Sequence, residues 1–275
     1  VRIAEIRKAF AAEDVVIAEV GAWCNMIAPD PAKRKANFDY VCSRLALADA
    51  VGARCCVDYL GTLDPGSDYG PHPANLTPAT LDLGVQVIRG IIDAVKPTRT
   101  KFTLETMQWV LPDSVDAYVA FVRAIDRKAF AVHLDPTNLV VSPRIYYNTG
   151  ALIRECFAKL GKWIVSCHAK DLRIRNELSL HFDEVRVGAG NLDYGAFLGE
   201  LNSLRDPPPL MLEHLATEDD YAAARDHIFK TGKAMGMDFG VYGDRLPFPP
   251  QSPRSMRIAA RSACVPGFPL RPFPG

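Results

Sequence analysis

The chain has 275 residues, of which 48% are hydrophobic, and it carries 32 basic and 32 acidic side chains. This is enough material for a large buried core, and the balanced charge argues against the basic face of a nucleic-acid-binding protein. No apolar run approaches the ~18 residues of a membrane-spanning helix. We therefore expect a globular protein whose partners include neither nucleic acid nor a membrane.

The cysteines of the chain are seven in number, scattered, and contain no CxxC pair. Their odd number and irregular spacing favour reduced thiols over a disulfide framework or a zinc knuckle. The N-terminus also lacks the charged and then apolar pattern of a secretory signal. Together these features predict a cytoplasmic protein.

Short apolar runs alternate with longer amphipathic stretches after an initial helical pattern at Arg2–Ala12. In chain order, the predicted strands are Val15–Val20, Ala53–Tyr59, Lys101–Glu105, Phe130–Asp135, Trp163–His168, Asp183–Val187 and Leu210–His214. The predicted helices that follow them span residues 32–51, 78–95, 113–126, 148–160, 193–203 and 217–235. This alternation is typical of a parallel α/β sheet or barrel.

The first helical pattern has no strand before it, so a repeating βα scheme asks for one more strand upstream. An eight-unit (β/α) barrel typically takes about 250 residues. We therefore predict a (β/α)8 TIM barrel over residues 1–240 that lacks its first strand, with an open seam or a substitute segment in its place. Because the chain begins at Val1 inside a helical pattern, we also expect that the start of the natural protein is missing.

Residues 241–275 are rich in proline and show little periodicity. This composition predicts an irregular C-terminal tail without catalytic residues.

Polar side chains stand at the ends of four predicted strands, where a barrel gathers its chemistry. They are Glu105 in TLET, Asp135 in HLDPTN, His168 in SCHAKD and Glu213 in MLEHL. His133 precedes Asp135 by two residues, so both side chains point to the same face of their strand. We expect these residues to meet at one rim of the barrel.

Carboxylates buried in apolar strands cost several kcal/mol unless they are paired or bind a cation. Glu105, Asp135, His168 and Glu213 would compensate one another around a divalent metal, and their oxygen-rich donor set suits Mn²⁺, Mg²⁺ or Co²⁺. The two glutamates would then offer acid/base chemistry beside a Lewis acid. Taken singly, each residue also has a simpler explanation, such as an Asx cap at Asp135 or a solvated loop position at His168.

The ordered motifs TLET, HLDPTN, SCHAKD, EVRVGAGNLDY and MLEHL resemble those of xylose isomerase-like TIM barrels, the sugar phosphate isomerases and epimerases, over about residues 10–238. The resemblance to ketose 3-epimerases implies one divalent metal, Mn²⁺ first, with Mg²⁺, Co²⁺ or Zn²⁺ as alternatives. It assigns Glu105, Asp135, His168 and Glu213 as ligands. It also makes Glu105 and Glu213 the catalytic pair, which moves a proton beside a carbonyl through a metal-held cis-enediolate.

The chain departs from the epimerase pattern at three positions. A family histidine is Asn138 here, a second glutamate is Leu111, and the family's Gly-Glu-Gly is Gly188-Ala189-Gly190. These changes affect expected substrate contacts rather than metal ligands. An arginine that grips the substrate is assigned to Arg173 or Arg186, because a stretch containing residues 176–181 is inserted between them.

Further substrate contacts are expected from segments that follow strands. His133 and Asn138 come from HLDPTN, while His72 belongs to a turn-rich loop at residues 64–75. Trp109 lies just past a strand end and would offer an apolar wall. Each of these residues has an equal alternative to substrate contact. His72 could lie in a solvated loop, and Trp109 could pack in the core. His133 could support the ligands from behind.

The sequence therefore predicts a metal-dependent isomerase or epimerase that acts on a sugar or ketose. A lyase or dehydratase acting on a keto-sugar or keto-inositol through the same residues is the first alternative. Alternatives of another class are a non-catalytic sugar-binding barrel and, less favoured, an apurinic endonuclease-like nuclease, which would need more histidine ligands and a basic face. The family resemblance also suggests homo-oligomers.

Overall fold

The structure is a computed structural model that describes residues 2–239 and 258–259. The predicted proline-rich tail lies outside the described residues, except for those last two. The boundary at residue 240 accordingly stays a prediction.

The helices and strands alternate along most of the described chain. The helices are α1 (Arg2–Ala12), α2 (Pro31–Val51), α3 (Pro78–Val95), α4 (Val115–Ile125), α5 (Pro143–Tyr146), α6 (Thr149–Leu160), α7 (Tyr194–Ser203) and α8 (Glu218–Ala234). The strands are β1 (Glu19–Gly21), β2 (Cys55–Asp58), β3 (Lys101–Glu105), β4 (Phe130–Leu134), β5 (Ile164–Ala169), β6 (Asp171–Ile174), β7 (Phe182–Val185), β8 (Leu210–Leu212) and β9 (Ile258–Ala259).

The main sheet is parallel, with the strand order β1-β2-β3-β4-β5-β8-β9. It curls into a partial (β/α)8 barrel with its helices outside, which confirms the predicted fold class. Parallel strands of this kind are buried on both faces, and every residue of β2, β4 and β8 is buried. The register sets Glu105 of β3 beside His133 of β4, so polar strand ends meet at one rim.

Local sequence signals explain where the long helices begin. Pro78 opens α3, and the Thr77 side chain accepts a hydrogen bond from the amide of Thr80. Ile88, Ile91 and Ile92 recur at helical spacing on the buried face of this helix. The same kind of packing surrounds the sheet, where the largest fully buried side chains include Tyr118 and Phe121 of α4. The outer helices therefore hold the strands in place by packing their buried faces against the sheet.

The strand predicted at Asp183–Val187 takes a different place from the one expected. A strand does form there, as β7, but it pairs antiparallel with β6 in a separate two-stranded sheet. β5 instead pairs directly with β8. The reason is the segment between Arg173 and Arg186, which folds back on itself as a hairpin and takes this strand out of the barrel wall.

The position of the absent first strand is partly filled from the other end of the chain. Ile258 and Ala259 pair in parallel with Leu210 and Met211 of β8. This segment extends the sheet beyond β8, and closure of the seam to β1 stays a prediction. Among residues 2–239, no helix is both long and apolar enough to cross a membrane.

Candidate metal centre and active site

Four side chains converge at the carboxyl ends of the parallel strands. Glu105 ends β3, Asp135 follows β4 directly, His168 lies in β5 and Glu213 follows β8 directly. One ligand atom from each lies within 4.8 Å of the other three. Glu105, Asp135 and His168 are buried, and the Glu213 side chain is 20% exposed. The structure thus brings together the four residues that the sequence predicted as ligands.

The His168 ring faces this cluster through its Nδ1 atom. Nδ1 lies 3.0 Å from Glu105 Oε1 and 3.0 Å from Glu213 Oε2. Asp135 Oδ1 accepts a hydrogen bond of 2.9 Å from the amide of Thr137. That bond holds the carboxylate so that its other oxygen, Oδ2, lies among the remaining three side chains.

Lys170 is the residue of the site that the sequence reasoning missed. Its ammonium Nζ lies 2.7 Å from Glu213 Oε2, 2.9 Å from Asp135 Oδ2 and 3.5 Å from Glu105 Oε1. A signal was present, because Lys170 comes two residues after His168 and side chains two apart on an extended segment share a face. Its side chain is buried with the carboxylates and balances part of their charge.

The charges of the cluster shift its pKa values in opposite directions. Burial would lower the pKa of His168, but Glu105, Glu19 and Glu213 raise it well above its usual value. The pKa of Lys170 is likewise raised, because the three carboxylates outweigh its burial. Burial raises the pKa of Asp135, whereas His168 and Lys170 lower that of Glu213 despite its burial. The cluster therefore holds strongly interacting charges.

This donor set fits a divalent cation. Asp135 Oδ2 and Glu213 Oε2 are buried and accept no hydrogen bond of good geometry, so their contacts with Lys170 are ionic. Even with His168 protonated, three carboxylates against the Lys170 ammonium and one imidazolium leave a surplus of negative charge that a cation would balance. Carboxylate oxygens with one imidazole are ligands that Mn²⁺ and Mg²⁺ accept.

A second group of titratable side chains lies behind His168. Glu19 of β1 places Oε1 3.4 Å from His168 Nε2 and Oε2 3.5 Å from His133 Nδ1. His133 is fully buried, and its ring packs edge-on against His168 at a centroid distance of 4.1 Å. Burial and the neighbouring His168 lower the pKa of His133 to about 3. His133 is therefore a neutral, enclosed side chain near pH 7.

Asn138 lies at the edge of the cluster. Its Nδ2 atom donates to the carbonyl oxygen of Thr106 at 3.0 Å and to Glu105 Oε1 at 3.3 Å. The bond to Thr106 positions the Asn138 amide, and the bond to Oε1 holds the Glu105 carboxylate. Asn138 thus lies against one of the two glutamates.

Aromatic rings form a row along the same rim. The Trp23 ring lies 6.5 Å from the His168 ring and stacks with Tyr59, which contacts Tyr69, which contacts Trp109. The indole Nε1 of Trp109 is buried without a hydrogen-bond partner. The row places aromatic rings beside the cluster, and contact of Trp109 with a substrate stays a prediction.

The other predicted substrate contacts are bonded elsewhere. Arg173 Nη2 donates to the carbonyl of Ala189 at 2.6 Å, and Arg186 Nη1 donates to that of Val187 at 3.2 Å. His72 Nδ1 accepts from the amide of Ala74 at 3.3 Å within its own loop. In this structure these three side chains support loops, and their contact with a substrate stays a prediction.

The loop at residues 186–192 is held by one buried carboxylate. Asp171 Oδ2 accepts from the amides of Gly188 and Gly190, and Oδ1 accepts from those of Leu172 and Leu192. A Cβ at Gly190 would lie 2.2 Å from Asp171 Oδ1, so this position requires glycine. The loop therefore owes its shape to backbone hydrogen bonds and not to Ala189, where the epimerase pattern has glutamate.

Comparison of the sequence with known families agrees with this geometry. The family described as xylose isomerase-like TIM barrel matches residues 1–231. The chain belongs to this family. Its alternation of strands and helices is thus that of a xylose isomerase-like barrel. No curated protein sequence matches the chain significantly.

Solved structures share the fold at low sequence identity. A xylose isomerase-like TIM barrel protein from Mycobacterium smegmatis, in complex with magnesium, is 19% identical with a TM-score of 0.62, over 85% of this chain and 78% of that one. The probable 3-DHS dehydratase AsbF from Bacillus anthracis is 16% identical with a TM-score of 0.62, over 86% and 81%. D-Psicose 3-epimerase from Clostridium cellulolyticum H10, with D-tagatose, is 15% identical with a TM-score of 0.59, over 83% and 83%. At these identities the likeness establishes the fold alone.

Proposed function

We propose that this protein is a divalent-metal-dependent isomerase or epimerase that moves a proton beside the carbonyl of a sugar or ketose. The observation that carries the proposal is the convergence of Glu105, Asp135, His168 and Glu213 at one rim. Lys170 and His168 compensate the buried carboxylates only in part, and buried, strongly interacting titratable groups are typical of functional sites. We propose Mn²⁺ as the first ion to test.

The chemistry of the site is assigned to its two glutamates. When bound, a divalent cation supplies Lewis acidity that makes a proton beside a carbonyl easier to remove. Glu105 and Glu213 come from strands on different sides of the site, β3 and β8. One carboxylate can remove the proton from one face of a sugar and the other can return it from the opposite face, which inverts the carbon. If one carboxylate instead returns the proton to the former carbonyl carbon, while the hydroxyl proton moves from one oxygen to the other, the sugar isomerises.

The surrounding residues are proposed to orient the substrate. Asn138 touches Glu105 and so lies where a sugar hydroxyl would meet the catalytic carboxylate. Trp109 and the aromatic row would pack against the sugar ring and exclude water. His133 is enclosed behind His168, so we place it in support of the ligands rather than on the substrate. Arg173, Arg186 and His72 would have to leave their loop bonds to reach a substrate.

The fold relatives support this choice of chemistry without deciding it. One of them is a ketose 3-epimerase with a bound sugar in its crystals, and another holds magnesium. A location in the cytoplasm, assembly into homo-oligomers and the absence of a nucleic-acid partner all remain predictions from the sequence.

Metal content tests the first half of the proposal. Parent protein, chelated and then reloaded with Mn²⁺, is expected to retain about one equivalent, measured by mass spectrometry of the metal. Asp135→Ala removes one ligand and is expected to lose most of it. Asp116→Ala, which removes an exposed carboxylate on α4, is the matched control and should bind like the parent. Parent protein that retains no metal would sink the proposal.

Exchange of hydrogen for deuterium tests the second half. The Mn²⁺-loaded protein is incubated with a panel of ketoses in D₂O, and we expect deuterium at the carbon next to the carbonyl of the true substrate. Glu105→Gln and Glu213→Gln should abolish this exchange. A loaded protein that binds sugars but exchanges no proton would instead be the non-catalytic binding barrel.

Dehydration is the second candidate function, and Lys170 favours it. After removal of the proton beside a carbonyl, loss of a hydroxyl from the next carbon needs an acid to protonate the leaving oxygen. The Lys170 ammonium lies 2.7 Å from Glu213, and it could give that proton once a bound cation neutralises the carboxylates that raise its pKa. Product analysis separates the reactions, because dehydration lowers the product mass by one water whereas epimerisation leaves it unchanged.

A further inference from the structure

Glu19 is a carboxylate of the barrel interior that the proposed reaction does not use. It lies at the start of β1, and its side chain is 15% exposed. β1 stands at one end of the sheet order, four strands away from β5, which carries His168. The two side chains therefore meet across the barrel interior and not through neighbouring strands.

The two nitrogens of His168 face different partners. Nδ1 lies 3.0 Å from both Glu105 and Glu213, on the side of the proposed metal ligands. Nε2 lies 3.4 Å from Glu19 Oε1 on the opposite side of the ring. A histidine that ligates a metal through one nitrogen commonly donates the N–H of the other to a carboxylate, which fixes its tautomer.

We propose that Glu19 is a positioning residue that accepts the Nε2 proton of His168, so that the Nδ1 lone pair faces the metal ligands. The inference rests on the proposed four-ligand metal site. Glu19 is itself held by contacts from its second oxygen, since Oε2 lies 3.5 Å from His133 Nδ1 and accepts from Ser166 Oγ at 3.5 Å. His133 thereby acquires a role behind the site, where it packs on the His168 ring.

A second cation between Glu19, His133 and His168 is the competing explanation, because their ligand atoms also lie close together. That site would use His168 Nε2 while Nδ1 serves the first site. The ring would then have to lose both of its N–H protons and bridge two ions as an imidazolate. Donation of one proton to Glu19 needs no such deprotonation, so we favour positioning.

Metal affinity is the readout that tests Glu19. Mn²⁺ binding to the metal-free protein is titrated by calorimetry for the parent, Glu19→Gln and Glu19→Ala. Loss of a carboxylate behind a metal-bound histidine typically weakens binding by about 10 to 100-fold, and we expect this for Glu19→Ala. Gln keeps an oxygen that accepts from Nε2 in the same shape, so Glu19→Gln should recover part of the loss.

Asp58→Asn is the matched control. Asp58 is a buried acidic side chain on the next strand, β2, and its Oδ1 accepts hydrogen bonds from the amides of Cys24 and Tyr59 rather than from a proposed ligand. This variant is expected to bind Mn²⁺ like the parent. Thermal unfolding of all four proteins verifies that each is folded at the titration temperature.

Nitrogen NMR gives a second readout that is independent of activity. In the Mg²⁺-loaded parent, His168 is expected to carry its proton on Nε2, with the signal assigned by its loss in His168→Gln. In Mg²⁺-loaded Glu19→Ala the proton stays on Nε2, but it has lost its acceptor, so we expect its signal to exchange faster with solvent than in the parent.

The outcomes separate the inference from the proposed function. Equal Mn²⁺ affinity for the parent and Glu19→Ala would overturn the positioning role. Equal losses of affinity in Glu19→Gln and Glu19→Ala would also overturn it, because they would show that only the charge of Glu19 matters. Two Mn²⁺ in the parent and one in Glu19→Ala would make Glu19 a ligand instead. Parent protein that binds no Mn²⁺ would overturn the proposed function itself and this inference with it.

Discussion

At the scale of single residues, the protein concentrates buried charge at one rim. Lys170 is surrounded by Glu105, Asp135 and Glu213 and competes with a cation for the same carboxylates. In the absence of metal, the ammonium offsets their repulsion, because opposite charges in a low-dielectric interior stabilise each other strongly. The same contact should oppose the arrival of a second positive charge.

Lys170→Met is therefore expected to change two properties in opposite directions. Removing one partner of a buried ion pair typically costs about 3 to 5 kcal/mol, so the metal-free variant should unfold at a lower temperature. Its affinity for Mn²⁺ should rise, because the carboxylates no longer have a competing cation. Thermal unfolding with and without Mn²⁺ measures both effects, and Lys159→Met on the exposed face of α6 is the control. A variant whose Mn²⁺ affinity falls would contradict this account.

Asp49 is a carboxylate outside the candidate site that stabilises a chain connection. It accepts hydrogen bonds from the amides of Thr98, Arg99 and Thr100, and so holds the connection between α3 and β3 against α2. Partial burial would raise the pKa of Asp49, but these bonds outweigh it and the pKa lies below its usual value. Its stabilising contribution is therefore complete above the unfolded pKa of about 3.9 and is lost as pH falls through the folded pKa.

Asp49→Asn is expected to lower the free energy of unfolding at pH 7 by about 1 kcal/mol, after allowance for solvent screening. The difference from the parent should shrink as pH falls below about 4, because the parent carboxylate is then protonated as well. Urea denaturation at pH 7 and pH 3 checks both values. Asp39→Asn, at an exposed ion pair of α2, serves as control. A difference that grows toward low pH would refute the assignment.

At the scale of elements, the site depends on how loops are fastened to strand ends. The β6–β7 hairpin takes the place where the sequence suggested another barrel strand, and Asp171 holds the following loop through three of its backbone amides. The sequence predicted the strand itself, at Asp183–Val187. Its pairing partner was not, because apolar periodicity indicates that a segment is extended but does not say which neighbour bonds to it.

Gly190→Ala tests that fastening. The added methyl group would lie 2.4 Å from the carbonyl oxygen of Leu172 as well as 2.2 Å from Asp171, and a backbone atom cannot move aside cheaply. We expect a loss of about 1 to 3 kcal/mol in unfolding free energy. Gly195→Ala within α7 is the matched control, since it meets only a side chain at 3.3 Å and alanine favours helix. Equal stabilities for the two variants would show that the loop shifts freely.

At the scale of the whole molecule, the barrel is partial and β8 takes its last partner from the far end of the chain. Leu210 and Met211 pair with Ile258 and Ala259 across the position that a first strand would fill. Unpaired edges of parallel strands expose backbone groups that need a partner.

A chain ending at residue 239 is expected to expose that edge of β8. Hydrogen exchange of the β8 amides should become faster in the truncated protein, whereas the amides of β3, in the middle of the sheet, should keep their protection. Mass spectrometry of exchanged peptides compares the two strands in one experiment. Unchanged exchange in β8 would indicate that the β9 pairing contributes nothing to this edge.

The sequence by itself determined the alternation of strands and helices, the barrel class and the identity of the four rim residues. These features are local or periodic: Lys101–Glu105 and Pro78–Val95 were readable because burial on one face repeats along a strand or helix. The contact of Glu19 with His168, the charge partners of Lys170 and the β6–β7 pairing were decided only by the tertiary structure. Glu19 lies 149 positions from His168 in the chain. Lys170 forms its ion pairs with carboxylates from three other strand ends, which only the folded sheet brings together. Contacts across the barrel depend on how the sheet curls, and no window of neighbouring residues contains that information.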